Sequence, residues 1–580
     1  MYLNWADYGV LIILLCISIS IGLYQGCIRS KQLSAGEFHI ADGRMAVLPT
    51  AMSLLASVMS AATLLGIPSE TYQYGTMYLY CIFTLWIAIY LNAYLFIPKF
   101  RQIGSASIYA YLEQRFSLSV RIAVTCTFIF VNILYMAVVL YGPSLALNQV
   151  TGLNMWLAVG LCGFVSTLYT SIGGIKAVIW TDVIQTIMMF SGIILTIIFG
   201  FIDAGGVSKV FETIINGDRW QLSIVTLDPT VRYTVWNMIF SNTLYNTALF
   251  ACLQTQAQRY LCVHSTKSAQ KTAWINYGMC VMMVILCECA GCLIYAKYHR
   301  CDPLQAKLIS KPDQLYPLFV IETLGRIPGL TGLFIACILS ASLSTFSSGV
   351  NSIATVIFED IYKRISNKHS VSDRRQAMIS KFLSGSIGLF IVFLAYLVSF
   401  MKSNLIVIIF QLIGSFVAPI LGLYILGFFV PRVNHQNALV TFILCLILQT
   451  LMLVFANFTG KQRRPGGLLP TSVAGCSPSL NISHSLLIEQ SHNSGYRILS
   501  MSPVWYSFNG FAITIAFGLM GIFIFGSNDP RTVDASLLSS FKELLPCFHV
   551  LRKKKTDATI THEEKDIGLD DHTIEQENML

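Results

Sequence analysis

Six hydroxyl side chains fall within one apolar stretch of the chain: Ser340, Ser342, Ser344, Thr345, Ser347 and Ser348. On a helix, Ala341, Ser344, Thr345 and Ser348 stand at i, i+3, i+4 and i+7 and share one face. Neutral oxygens in hydrocarbon can hydrogen-bond to neighbouring helices, as small and hydroxyl residues commonly do. They can also replace the water shell of a small, hard cation. A second candidate is Asp182, with Gln185 at i+3 on the same helical face. A carboxylate inside a membrane span is costly and points to function by default. Beside an amide oxygen it suits a cation such as Na⁺. The structural alternative is an Asp182 that caps its helix or pairs with Lys176.

Other chemistries have no residues to run on. No His, Cys and Glu set has the spacing of a zinc site, and the CxxC at Cys289 and Cys292 has no second pair. Nothing matches a nucleophile elbow, a P-loop or a dinucleotide-binding fingerprint. The expectation is therefore no enzyme and no cofactor. Any work would be driven by an ion gradient, with Na⁺ as the coupling ion.

The elements that would hold these residues are membrane spans. Of 580 residues only 12% are charged and 55% are hydrophobic, and the mean hydropathy is +0.64. A soluble chain would carry about twice that charge. Apolar runs long enough to cross a bilayer core of about 30 Å recur along the chain. They read as about thirteen spans: 8–27, 46–74, 77–97, 122–148, 154–171, 177–202, 233–257, 273–297, 329–359, 382–400, 404–430, 438–457 and 504–526. The fold class is all-α and polytopic, with the lipid bilayer as a partner. The net charge of +9 sits mostly in short loops, where topology signals lie, so nucleic acid is excluded as a partner.

Loops after odd-numbered spans carry the denser basic charge, with Arg115, Arg121, Arg259, Lys363 and Arg364 among them. Those loops are expected to face the cytoplasm of a plasma-membrane protein, with the N-terminus outside and the tail from 527 inside. The sequon Asn481-Ile-Ser then lies in an external loop and is the expected glycosylation site, whereas Asn457 abuts a span. Cys301 and Cys476 fall in external loops too, where a disulfide between them is open to oxidation.

Two spans look interrupted. In 46–74, Pro49, Gly66 and Pro68 bracket a run of small residues, and 233–257 carries Asn242, Asn246, Thr247, Gln254 and Gln256. Unwound backbone is tolerated in lipid only where it is buried or lines a cavity. Each break alone could be a kinked structural helix. Together, five spans apart, they point to an inverted-repeat secondary transporter with broken spans two and seven. The expected organisation is an extra helix and first loop (1–45), a first repeat (46–202), a second repeat (203–430), two further helices (431–526) and a tail (527–580).

The chain resembles the solute:sodium symporters, and within them the branch of the monocarboxylate, multivitamin and iodide transporters. The resemblance rests on SLLASVMSAATLLGIPSETYQYG at 53–75, YGPSLALNQVTG at 141–152, GGIKAVIWTD at 173–182, QAQRY at 256–260, LSTFSSGVN at 343–351, and Glu359-Asp360. It extends from the first span to about residue 430.

This resemblance implies a five-plus-five inverted-repeat core and two sodium sites. One site would use the carbonyls of Ala56, Met59 and Ala341 with the hydroxyls of Ser344 and Thr345. The other would use Ser57, Asp182, Gln185 and Gln254. For the substrate it points to Thr63, Asn246, Phe250 and Gln411, while Thr63 and Tyr135 could offer hydroxyl donors to a carboxylate. Iodide transporters carry a glutamine where this chain has Thr63 and aromatics where it has Asn246. An organic anion, either a monocarboxylate or a carboxylate vitamin, is therefore expected over iodide. The rivals are a solute sensor on the same scaffold and a sodium-permeable channel.

Overall fold

A computed structural model of the chain describes residues 4–29, 35–151, 155–365, 372–398, 405–458, 467–476 and 501–540. The expected glycosylation site Asn481 and the chain beyond 540 lie outside the described residues. Among those described, the one β pairing is an isolated bridge between Met45 and Val263, and the rest of the regular structure is helical. In chain order the helices that matter are α1 (Trp5–Leu23), α2 (Val47–Val58), α3 (Ala61–Tyr74), α4 (Cys81–Leu91), α5 (Leu118–Thr151), α6 (Met155–Asp203) and α7 (Gln254–Leu261). They are followed by α8 (Thr266–Tyr298), α9 (Leu330–Val356), α10 (Asp373–Val398), α11 (Leu405–Leu412), α12 (Ala418–Phe429), α13 (His435–Phe458) and α14 (Tyr506–Phe525).

Ten of the described helical stretches are long and apolar enough to cross a membrane, or eleven if the bent pair α2–α3 is one span. The sequence reading gives thirteen. Spans 154–171 and 177–202 are both present, as the two arms of α6 that meet at a kink at Gly174 and are counted here as one stretch. Span 233–257 is cut into short π and α segments, Asn237–Asn242, Thr243–Thr247 and Ala248–Cys252, and then α7.

The helix at the centre is α9. The most apolar window of the span that contains it is 94% buried, against 22% for the span containing α14, so its hydroxyls face protein and not lipid. Close approach is bought with small residues. A Cβ at Gly192 of α6 would come within 2.6 Å of the Cys337 Cβ, and one at Gly349 within 2.2 Å of the Met136 sulfur. The N-terminus of α9 is capped from another helix. The buried Asp7 of α1 accepts hydrogen bonds from the amides of Gly329 (3.0 Å) and Gly332 (2.8 Å), placing negative charge where the helix dipole favours it.

Both expected interruptions exist. Between α2 and α3 the chain bends by 62°. Met59 leaves the helical region at φ −80°, ψ 81°, and Ser60 caps the new helix by accepting from the Thr63 amide at 3.3 Å. At Leu253 the backbone is extended (φ −86°, ψ 122°) before α7 begins. The break in α6 is at Gly174, whose φ of +56° is a glycine conformation. A Cβ there would meet the Phe38 ring at 2.8 Å.

The two ends of the bundle are fastened differently. At the end holding the basic loops, Arg121 pairs with Asp360 and Glu113, and Asp360 also accepts from Ser107 (2.9 Å) and Thr125 (2.6 Å). Arg115 and Arg121 are thus buried clamps, 6% and 4% exposed, and not loop charges. Nearby, His39 sits between Ser380 (2.9 Å) and Thr355 (2.7 Å). Burial, helped by Lys363, pushes its imidazole down to about 3, so it is neutral and ties α9 to α10. At the opposite end Cys301 and Cys476 form a disulfide. The segment 467–476 lies as a strap over the end of α3. The Leu469 amide donates to the Gln73 carbonyl (3.0 Å), and Arg219 donates to the Pro470 carbonyl (2.6 Å).

Candidate functional site

The break after α2 faces the hydroxyl stripe of α9. The carbonyl of Ala56, in the last turn of α2, accepts from Ser344 Oγ at 2.7 Å and from Thr345 Oγ1 at 3.2 Å. The same two hydroxyls lie 3.1 and 2.9 Å from the Ala341 carbonyl. Four oxygens from two distant parts of the chain therefore converge, all of them fully buried, with Met59 at the turn beside them. The i, i+3, i+4 spacing puts Ala341, Ser344 and Thr345 on one face, and the bend ends α2 there. All the donors are neutral oxygens, the set a desolvated hard cation prefers. A cation would replace the hydroxyl protons as the partner of the two carbonyls.

A second oxygen cluster lies one turn further along α9. Asp182 of α6 is fully buried. Its Oδ2 accepts from Ser53 Oγ at 2.5 Å and from Arg259 Nη2 at 3.3 Å. Arg259 also donates to Ser53 (2.7 Å), Ser348 and the Thr255 carbonyl. Ser348 in turn donates to the Ser344 carbonyl at 2.6 Å, which links the two clusters through α9. The Asp182 Oδ1 and both amide atoms of Gln185 are buried without a hydrogen-bond partner among the described residues. Buried polar atoms are normally matched, so these unmatched oxygens mark a place where a cation fits. Tyr169, whose hydroxyl donates to the Leu343 carbonyl at 3.1 Å, stands beside them.

Two of the four residues expected in this second cluster make their hydrogen bonds elsewhere: Ser57 donates to the Leu54 carbonyl and to Gln256, and Gln254 bonds to the backbone of 106–108. The Gln254 Oε1 accepts from the Ile108 amide (3.0 Å) and its Nε2 donates to the Ala106 carbonyl (2.6 Å), so both ends of the amide are committed. Gln256, two positions on, reaches Ser57 at 2.9 Å. The Lys176 alternative for Asp182 is also set aside, because Lys176 pairs with Glu37 at 2.6 Å.

The substrate candidates divide into two groups. Thr63 and Tyr135 both lie beside Ser60 at the break, where Ser60 Oγ is 3.2 Å from Thr63 Oγ1. Tyr245, which sequence reasoning passed over, lies beside Tyr135, and its ring is 4.8 Å from that of Phe410. Asn246 is turned toward α4, donating to Thr84 at 3.2 Å, where Asn242 donates at 2.9 Å. Phe250 is wholly buried. Gln411 is half-buried and lies near Tyr506 on α14. The structure does not bring Phe250 or Gln411 to Thr63 by any direct bond among the described residues.

Arg259, Ser53 and Gln256 are the neighbours of these clusters that the sequence reading does not assign to a site, whereas Ser348 already belongs to the stripe read on α9. A signal existed for the first and third, since both lie in the QAQRY stretch.

Comparison with known proteins places the chain in a family. The model of the sodium:solute symporter family matches residues 38–445. The chain is 37% identical to the human sodium/iodide cotransporter over 83% of its own length and 75% of the relative's. It is 36% identical to the rabbit (Oryctolagus cuniculus) sodium-dependent multivitamin transporter, covering 93% and 86% of the two chains. It is 34% identical to the human sodium-coupled monocarboxylate transporter 1, covering 95% and 92%. The solved structure of a Na⁺-coupled sialic acid symporter, at 24% identity, superposes with a TM-score of 0.72 over 91% of this chain and 99% of that one, which shows the common fold.

Proposed function

Because the chain belongs to the sodium:solute symporter family, as a membrane transporter and not an enzyme, we propose that it imports a small organic anion by alternating access, driven by two Na⁺ ions. The observation that carries this reading is the convergence of the Ala56 carbonyl with Ser344 and Thr345 at the break in span two. One Na⁺ is held there by Ala56, Met59, Ala341, Ser344 and Thr345. The second is held by the bare oxygen of Asp182 and by Gln185, with Ser57 on the facing helix.

Binding of the ions closes the broken helices around an anion lying near Thr63 and Tyr135, with Asn246, Phe250 and Gln411 at its periphery. The two breaks are the corresponding interruptions of a five-plus-five inverted repeat. The N-terminus and the loop with Asn481 face outward at the plasma membrane, and the tail faces the cytoplasm.

The driving force suffices. A tenfold gradient supplies about 1.4 kcal/mol per ion, and one net charge crossing about 70 mV adds roughly 1.6 kcal/mol. Two Na⁺ with one monoanion thus supply about 4.4 kcal/mol, enough for accumulation of about a thousandfold.

The identity to the sodium/iodide cotransporter supports a second reading, symport of an inorganic anion. Thr63 and Asn246 favour the organic one. The deciding experiment is uptake of radiolabelled lactate, butyrate, nicotinate, biotin, pantothenate and iodide into proteoliposomes, with and without Na⁺. Saturable, Na⁺-dependent uptake of a carboxylate is expected. Uptake of iodide alone would select the second reading. Binding without uptake would make the chain a sensor, and single-channel currents would make it a channel.

A further inference from the structure

Glu288 of α8 is a buried carboxyl that the sodium chemistry leaves unused. It is 3% exposed, and its Oε2 lies 2.9 Å from Thr71 Oγ1 on α3. That hydroxyl owns a single proton. Thr71 Oγ1 is also 2.9 Å from the carbonyl of Ile67, one turn back on the same helix, the bond a helical threonine commonly makes. A carbonyl has no proton to give, so when the Thr71 proton lies on the Ile67 carbonyl the 2.9 Å contact with Glu288 is made by a proton of the acid.

The surroundings agree. Glu288 Oε1 has no hydrogen-bond partner among the described residues, and no ion pair reaches this carboxyl there. The titratable groups that feel it are thiols: Cys81 on α4, and Cys287 and Cys292 on α8 itself. The basic residues of this end are engaged elsewhere. Arg219 lies over the Tyr295 ring at 4.3 Å, and Arg232 is bound by both oxygens of Glu70 at 3.0 and 2.9 Å. An ionised carboxylate held here without a cation would bear the full cost of desolvation, which a neutral acid with one hydrogen bond avoids. The packing is close, since a Cβ at Gly291, three residues on, would meet the Thr71 Cβ at 2.5 Å.

We propose that Glu288 is a proton-binding site, holding a carboxylic proton that it donates to Thr71 and so pinning the outer half of the broken span to α8. The pinned helix is the one that carries Ser60 and Thr63, so loss of the proton at alkaline pH would place an unmatched charge against the arm that frames the substrate region.

The test is infrared absorption by the full-length chain, purified into lipid at neutral pH, without substrate. The difference between wild type and Glu288→Gln is expected to contain the C=O band of a neutral carboxylic acid. In Thr71→Val that band is expected to persist and to move to higher frequency, because the acid has lost its acceptor. A difference spectrum holding only ionised-carboxylate bands overturns the proposal. So does a neutral-acid band that Thr71→Val leaves in place, a comparison that needs only this variant if Glu288→Gln does not fold. Neither readout involves transport, so failure here leaves the symport reading untouched.

Discussion

The two oxygen clusters on α9 are a turn apart and differ in how they are satisfied. At Ala56, Ser344 and Thr345 every group is neutral and each hydroxyl finds a carbonyl. At Asp182 a charge is present, one of its oxygens is held by Ser53 and Arg259, and its other oxygen and the whole Gln185 amide are unmatched. A neutral cluster can close on itself when no cation is bound, at little cost. A charged one needs a permanent counter-charge, and Arg259 supplies it. Under the proposed two-ion reading the difference gives the clusters different tasks: the first would bind and release its ion readily, and the second would hold its ion beside a fixed Asp182–Arg259 pair tied to α9 through Ser348.

Breaking the charged cluster should have the largest effect. Asp182→Asn is expected to reduce Na⁺-dependent uptake to background. It leaves the Arg259 guanidinium unpaired, a loss of about 3–5 kcal/mol for a buried pair, so surface abundance should fall as well. Asp182→Asn combined with Arg259→Gln should recover abundance and not uptake, which flux measurements normalised to surface protein would separate. If the double variant transported normally, the charged cluster would be purely structural.

Breaking the neutral cluster comes next. Ser344→Ala with Thr345→Ala removes two ligands worth about 1.5–3 kcal/mol each toward a charged partner. The Na⁺ concentration for half-maximal uptake should rise by about a hundredfold or more, with abundance near normal.

A smaller effect sharpens the membership of the second cluster. Gln256→Leu, which removes the partner of Ser57, should weaken Na⁺ dependence by about tenfold. Gln254→Leu should lower abundance and leave the Na⁺ dependence of the remaining uptake unchanged. The reverse order would restore Gln254 to the site. The smallest effect is expected at the strap. Cys301→Ala with Cys476→Ala should change the uptake rate by no more than a few-fold, since the backbone bonds from Leu469 and Gly475 remain.

Much of this arrangement is legible in the residues themselves. The stripe on α9 has one face by spacing alone, and the small residues of 56–63 with Pro68 announce a break, which falls at Met59. Asp182 stands out as an acid within a span. Legibility ends at the second break. Once the helix stops at Leu253, its phase on restarting is set by packing and not by the preceding turns, so Gln254 and Gln256 cannot be told apart from the sequence. Arg259 is missed for a related reason. Basic residues near span ends are counted as topology signals, and only the fold reveals that this one turns inward, 1% exposed, to meet an acid far away in the chain. Arg115 and Arg121 repeat the lesson at the same end of the bundle.

Binding of radioactive Na⁺ to the purified full-length chain tests the central claim most directly. The account predicts two ions per wild-type chain and one when Ser344 and Thr345 are both alanine, with the lost ion belonging to the break in span two. An unchanged isotherm in that variant would contradict it.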